Sequence, residues 1–446
     1  MSQHTDARTL TAPAALGDAP RYRWVVLAVA TVTQAASGFF VQGIGAMAVP
    51  LQSALELSTS RLGLLLSAAQ LVPLIGLLVA GELLDRYNER WVVGLGSGVV
   101  AAGLLLGSLA QGYGSLLVVL LVVGAGYSTV QPGGSKSVAA WFDPARRGLA
   151  MGVRQAGLPL GGALAAAVLP LVAVAHGWRS ALVVGGLVAL LGAGAFTALY
   201  RRPPGAAALP AADRASQAAP DRLSAAPERA SAAPDRPSAS PLRSRLRMLR
   251  EPAMRRILFS GLALVSVHSG IGVLGALYLH DVTALAPGPT AAVLVAVQVA
   301  GAVGRIGLAA WSDRSLAGRF LPVLVSLGAV TAGLAALATP AGRSPVAAAL
   351  LFTWLGFFGI GWYGPWVAHL AESAPPGRTG FALGLVMAVN QLAVILVPPA
   401  LGLLRDATHG FTVAWAALAA ATALTLAATA RGRRGAPPGP GRRTAG

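Results

Sequence analysis

The sequence has no cysteine, a single lysine and few acids, with 16 Asp and Glu against 34 Lys and Arg in 446 residues. Without cysteine, disulfides and thiolate metal sites are excluded. Charged residues make up 11% of the chain, against about a quarter in soluble domains, so a water-facing surface cannot be covered. Most of the area must face lipid, where every backbone polar group needs an internal partner. Strand-like alternation is missing too, and the runs of Ala, Leu, Val and Gly imply helices rather than a barrel. No phosphate-cradling loop, metal-ligand cluster or catalytic triad is present, and the loops are too short for an ATPase domain. No cofactor is expected, and an enzyme is the least favoured class.

A bilayer core takes about 20 apolar residues per helix. Runs of that length fall at 24–49, 61–84, 91–111, 115–141, 149–175, 180–200, 257–279, 290–311, 320–338, 346–371, 380–404 and 411–430. The expected fold is therefore all-α, with twelve spans in two six-helix halves, 24–200 and 257–430. The first 23 residues form a polar tail with no apolar core before Arg21, so Trp24 onward reads as an uncleaved first span rather than a signal peptide. Prolines inside spans (Pro73, Pro132, Pro159, Pro365, Pro398 and Pro399) are tolerated in a bundle. Gly161-Gly162 and Gly185-Gly186 let helices approach closely.

Basic residues set the orientation. Of the 34, Arg61, Arg179, Arg343 and Arg405 lie in loops on one side, and Lys136, Arg154 and Arg305 lie within spans. All the others flank the opposite side, which places both termini and the central segment in the cytoplasm of a cell (inner) membrane protein. The net charge of +18 then follows from topology, with no nucleic-acid partner. Segment 201–256 is a linker. Ala219-Pro220-Asp221-Arg222, Ala226-Pro227-Glu228-Arg229 and Ala233-Pro234-Asp235-Arg236 recur without an apolar seam, which predicts an extended or disordered chain. Its end, Arg243 to Arg256, is a basic flank suited to an anionic leaflet. A basic tail, 431–446, closes the sequence.

The loop after span 2 reads Gly81-Glu82-Leu83-Leu84-Asp85-Arg86-Tyr87-Asn88-Glu89-Arg90, and the loop after span 8 contains Trp311-Ser312-Asp313-Arg314, with Arg319 following. Arg146-Arg147-Gly148-Leu149-Ala150-Met151-Gly152 opens span 5, and Arg378-Thr379-Gly380-Phe381-Ala382-Leu383-Gly384 opens span 11. The second copies follow the first by 228 and 232 residues, so two halves repeat in the same orientation. These motifs resemble the cytoplasmic signature of the major facilitator superfamily, over about 24–200 and 257–430. The resemblance implies two bundles related by an axis along the membrane normal, with substrate held between them. It also implies that Asp85, Arg86 and Arg90 help latch the outward-open state; Gly81, Asp313, Arg314, Arg146 and Arg378 of the same motifs join them as conformational gate candidates, and Glu372, at the cytoplasmic end of span 10, reads as a gate or topology residue. A carboxylate and an arginine at helix ends can bridge loops and cap a neighbouring helix; equally, such pairs can serve only to fix topology.

Ionisable groups inside spans are costly and so are functional candidates. Lys136 in span 4 lies ~12 Å from its span's middle toward the cytoplasm and Arg154 in span 5 ~10 Å, at 1.5 Å per residue. At a shared depth the two could hold a carboxylate; alternatively both snorkel to the interface or close a gate. His268, near the centre of span 7, either couples transport to protons or stays neutral on a nearby carbonyl. Gln34, Tyr127, Gln131, Gln155, Gln298, Trp362, Tyr363, Asn390 and Gln391 are further candidates for the substrate cavity, each also suited to a helix–helix hydrogen bond. No acid sits deep in any span, which disfavours organic cations. The reading is a monomeric secondary transporter of a small solute, an organic anion such as a carboxylate, driven by protons or a solute gradient. An exporter of neutral or amphipathic compounds is one alternative, and a receptor that keeps this fold without transport is another.

Overall fold

The computed structural model describes residues 19–142, 144–203, 251–315, 318–373 and 379–434. Among these, eleven helices or broken helix pairs are long and apolar enough to cross a membrane, and the shorter apolar helix Leu321–Leu337 makes a twelfth. In chain order, span 1 is Ala19–Gly43, span 2 Thr59–Arg86, span 3 Glu89–Gly107, span 4 Tyr113–Tyr127 with Val130–Trp141, span 5 Pro144–His176 and span 6 Trp178–Leu199. Span 7 is Pro252–Asp281, span 8 Pro287–Arg314, span 9 Leu321–Leu337, span 10 Pro345–Gly361 with Tyr363–Ser373, span 11 Thr379–Thr408 and span 12 Thr412–Arg434. Leu191, Leu424 and Val346 are each about 70% exposed, as lipid-facing side chains would be.

Several boundaries differ from the sequence reading. Span 1 stops at Gly43 rather than 49; a turn follows, and Ala48–Leu55 is a separate short helix. Span 1 also starts at Ala19 and span 7 at Pro252, each about five residues early, because the amphipathic flanks Arg21–Arg23 and Met254–Arg256 continue the helix past the apolar run. The heptad repeats of the linker lie outside the described residues.

Spans 4 and 10 are each broken in the middle, and proline explains both. Pro132 and Pro365 sit at the third position of the second segment of each, and neither can donate a hydrogen bond to the carbonyl four residues back. Pro73, Pro159, Pro398 and Pro399 are instead carried inside continuous helices. The two breaks fall at matching places in the repeated halves, at mid-span.

Span 2 packs along span 11 and span 5 along span 8, which makes two seams between the halves. At the face opposite the termini, the Asp406 carboxylate accepts from Thr59 N–H at 3.0 Å and Ser60 N–H at 2.9 Å. It thereby caps the N-terminus of a helix in the other half, where a negative charge is favoured. Two turns further along span 2, Ser67 Oγ donates to the Ile395 carbonyl. Near mid-membrane, Gln391 Nε2 donates to Gln70 O at 2.9 Å. A Cβ added at Gly45 would lie 1.8 Å from the Gly272 carbonyl oxygen, so the turn after span 1 meets span 7 there backbone to backbone. The described hydrogen bonds that join the halves thus run from the opposite face to mid-membrane.

Loss of a helix cap costs about 1 kcal/mol, or roughly fivefold in an equilibrium. Asp406→Ala should therefore favour opening at this face. With no native cysteine, a Leu66→Cys reporter should react about fivefold faster with an impermeant maleimide in the Asp406→Ala background. An unchanged rate would show that the cap does not hold the seam.

Candidate functional site

Arg154, on span 5, is fully buried. Its Nη2 donates to Gln34 Oε1 of span 1, to Gln131 O at 2.6 Å and to Val130 O at 3.4 Å. Those two carbonyls belong to the first turn after the break in span 4. Gly134 makes this docking possible, because a Cβ there would lie 2.8 Å from Arg154 Nε. Arg154 Nε and Nη1 are buried with no hydrogen-bond partner, and so is Gln34 Nε2. Unpartnered buried donors are costly, and a guanidinium keeps its charge in any protein setting.

A second guanidinium faces the same region. Arg305 on span 8, 9% exposed, donates from Nε to Ile360 O at 3.3 Å, beside the break in span 10. Its Nη1 reaches across the seam to Gln155 O of span 5 at 3.2 Å, and its charge lies over the Tyr363 ring at 5.5 Å. Each half thus docks one arginine on carbonyls of its own broken span. Tyr127 and Tyr363 each lie in electrostatic range of both Arg154 and Arg305, and His268 lies in range of Arg305.

The other candidates divide. Tyr127 is buried against Gly38, and His268 is half-buried, with no hydrogen bond among the described residues. Gln298 packs against Gly162, its Oε1 unpartnered. The Gln131 and Gln155 side chains are half-buried; what binds the arginines is their backbone carbonyls. Four candidates meet other groups of the protein: Trp362 Nε1 donates to Gly359 O at 3.1 Å, Tyr363 Oη to Met387 Sδ at 3.2 Å, and Gln391 to Gln70, while Asn390 is buried beside Trp366 and Gly261 with Oδ1 unpartnered.

Lys136, expected at the depth of Arg154, has its ammonium on the Leu84 carbonyl and 3.5 Å from Glu89. Glu89 also meets Arg202 at 3.0 Å and is itself buried. The residue that accompanies Arg154 is Arg305. From the sequence alone Arg305 is placed within a span but not among the site candidates, although a third basic residue inside a span was a usable signal. Glu89, hidden in a run of loop charges, had none.

With this geometry in view, residues 30–398 match the family model of the Major Facilitator Superfamily. The chain belongs to the major facilitator superfamily. An uncharacterized transporter of this type from Mycobacterium tuberculosis is 29% identical over 88% of this chain and 82% of its own. A hexuronate transporter of Bacillus subtilis is 29% identical over 143 residues, 32% of this chain and 33% of its own. The fold matches the crystal structure of a bacterial homolog of the human lysosomal transporter Spinster, in an inward-facing and occupied conformation. The TM-score is 0.73 at 15% identity, over 93% of this chain and 97% of that one.

At the superfamily signature, Arg86 and Arg314 are exposed and Gly81 has open space where a Cβ would stand. Arg90 lies over the Trp91 ring at 5.5 Å with its Nε buried and unpartnered. Arg319 bridges Asp313 at 3.5 Å and Glu372 at 2.9 Å, which ties the loop after span 8 to the end of span 10. Arg378 lies outside the described residues, as do the side chains of Asp85 and Arg146. The described ion pairs on this face stay within one half. Because Glu89 is buried between two cations, Glu89→Gln should lower the stability of the purified protein by about 1–2 kcal/mol. An unchanged melting temperature would mean that the three charges are effectively solvated.

Proposed function

We propose that this superfamily transporter carries a small organic anion, a carboxylate, through alternating access of a cavity between its halves. The observation that carries the reading is Arg154, a fully buried guanidinium with two N–H-bearing nitrogens, Nε and Nη1, that have no partner. With Arg305 nearby, a bound carboxylate would gain charge-assisted hydrogen bonds in a low-dielectric setting. The hexuronate carrier among the relatives is consistent with this chemistry. The face bearing the termini is cytoplasmic on this reading, since it gathers most of the arginines. The hydrogen bonds at the opposite face then make this an outward-closed state. Gln34 acts as a positioning residue, and the basic-face clusters at Glu89 and Arg319 stiffen each half while it rocks.

A second reading, export of neutral or amphipathic compounds, draws on an apolar cavity of about 300 Å³ between the halves near the opposite face. It is lined by Ala46, Val49, Pro170, Trp178, Ala276 and Pro287 among others. Substrate recognition indifferent to charge would favour it.

Thermal-shift titration of the purified protein with galacturonate, glucuronate, lactate and succinate should reveal a stabilising carboxylate. For that ligand, Arg154→Gln and Arg305→Gln should each weaken binding about 10- to 100-fold, the loss of a charged hydrogen bond of 1.5–3 kcal/mol. Lys136→Gln should leave affinity within about twofold. Unchanged affinity in both arginine variants would remove the anion reading.

A further inference from the structure

We infer that this transporter is an anion exchanger, unable to return empty, rather than a proton-coupled symporter; the inference rests on the anion reading above. The argument starts from what surrounds the two arginines. Every acceptor that Arg154 and Arg305 find is neutral: one glutamine amide and the carbonyls of Val130, Gln131, Ile360 and Gln155. The 16 acids of the sequence fall in tails, loops, the linker, or within a turn or so of a span's end. Those nearest are engaged elsewhere: Glu89 with Lys136 and Arg202, Glu372 with Arg319, Asp281 with Arg405, and Asp406 with the start of span 2. Two positive charges therefore stand inside the bundle with no carboxylate beside them among the described residues.

A carrier that performs net transport must cross back empty, through a state in which water has left the cavity. Uncompensated ions in such surroundings are strongly disfavoured. A proton symporter relieves this with a carboxylate that alternately pairs with the cation and takes up the proton. Among the described residues no carboxylate pairs with either arginine. The mid-span titratable groups facing the arginines are Tyr127, Tyr363 and His268. A proton on His268 would add a third positive charge to the same region, which opposes the need. The cargo is then the only counter-anion available. Its arrival neutralises the pair and lets the halves pass the occluded state; its departure stops the carrier until another anion binds.

Arg305 gives the stop a structural form. Its bond to the Gln155 carbonyl crosses between halves, so the empty carrier is held together at the waist by an arginine on a neutral surrogate. An entering carboxylate competes for that guanidinium and frees the seam.

The test uses the full-length protein in proteoliposomes and labelled galacturonate, glucuronate and succinate as probes. Entry into vesicles preloaded with the same unlabelled anion should exceed entry into unloaded vesicles by at least ~100-fold, about 2.7 kcal/mol at 1.36 kcal/mol per decade. Neither an inside-alkaline pH gradient nor a membrane potential should change a one-for-one exchange. Arg305→Gln, with one uncompensated charge removed, should reduce that ratio about tenfold even if exchange itself slows. Accumulation in unloaded vesicles driven by the pH gradient, or equal entry with and without preloading, overturns the exchange proposal and leaves the anion reading intact. Entry of no probe under any condition overturns the anion reading itself. The wild-type ratio decides the matter whether or not the variant folds.

Discussion

Two prolines at mid-membrane organise this transporter. In lipid every backbone carbonyl needs a donor, and Pro132 and Pro365 remove one each from spans 4 and 10. Arginines from spans 5 and 8 dock on carbonyls beside the breaks, Val130 and Gln131 in span 4 and Ile360 in span 10, each within its own half. An arginine buried there cannot shed its charge. Together the two arginines make a cationic centre with no acid paired to it among the described residues, the centre that the proposed function assigns to the ligand.

The two seams divide the remaining work. Along spans 2 and 11 the contact is close, with a carboxylate capping a helix of the other half and glycines admitting backbone against backbone. Along spans 5 and 8 long side chains carry the contact, with Gln298 against Gly162 and Arg305 reaching over to Gln155. On the basic face the visible ion pairs stay inside each half. That distribution suits two rigid bodies that separate on one side while hinging on the other: the pairs inside a half need not break, whereas the cap and the waist bonds must.

The helical class, the number of spans and the repeat were legible from the residues because they depend on local quantities. Apolar run length sets a span and a repeated Asp-Arg motif sets a register; the breaks beside Pro132 and Pro365 were not legible, because Pro73, Pro159, Pro398 and Pro399 leave their helices continuous. Arg154 and Gln34 were also legible, as polar groups in apolar runs. The site was less so. Lys136 and Arg154 share a depth along their helices, but depth does not determine direction around the helix axis, and Lys136 turns to Glu89. Asp406 resembled an ordinary charge at a span end until the other half brought Thr59 and Ser60 to it.

By itself the sequence determined that this chain lives in lipid as two repeated bundles, since composition and period leave no other way to satisfy the backbone. Only the tertiary structure decided which cations converge, which acids are already engaged and where the halves touch. Those outcomes depend on helix rotation and on partners hundreds of residues apart. A linear pattern records how far along a helix a side chain lies, but not what it faces.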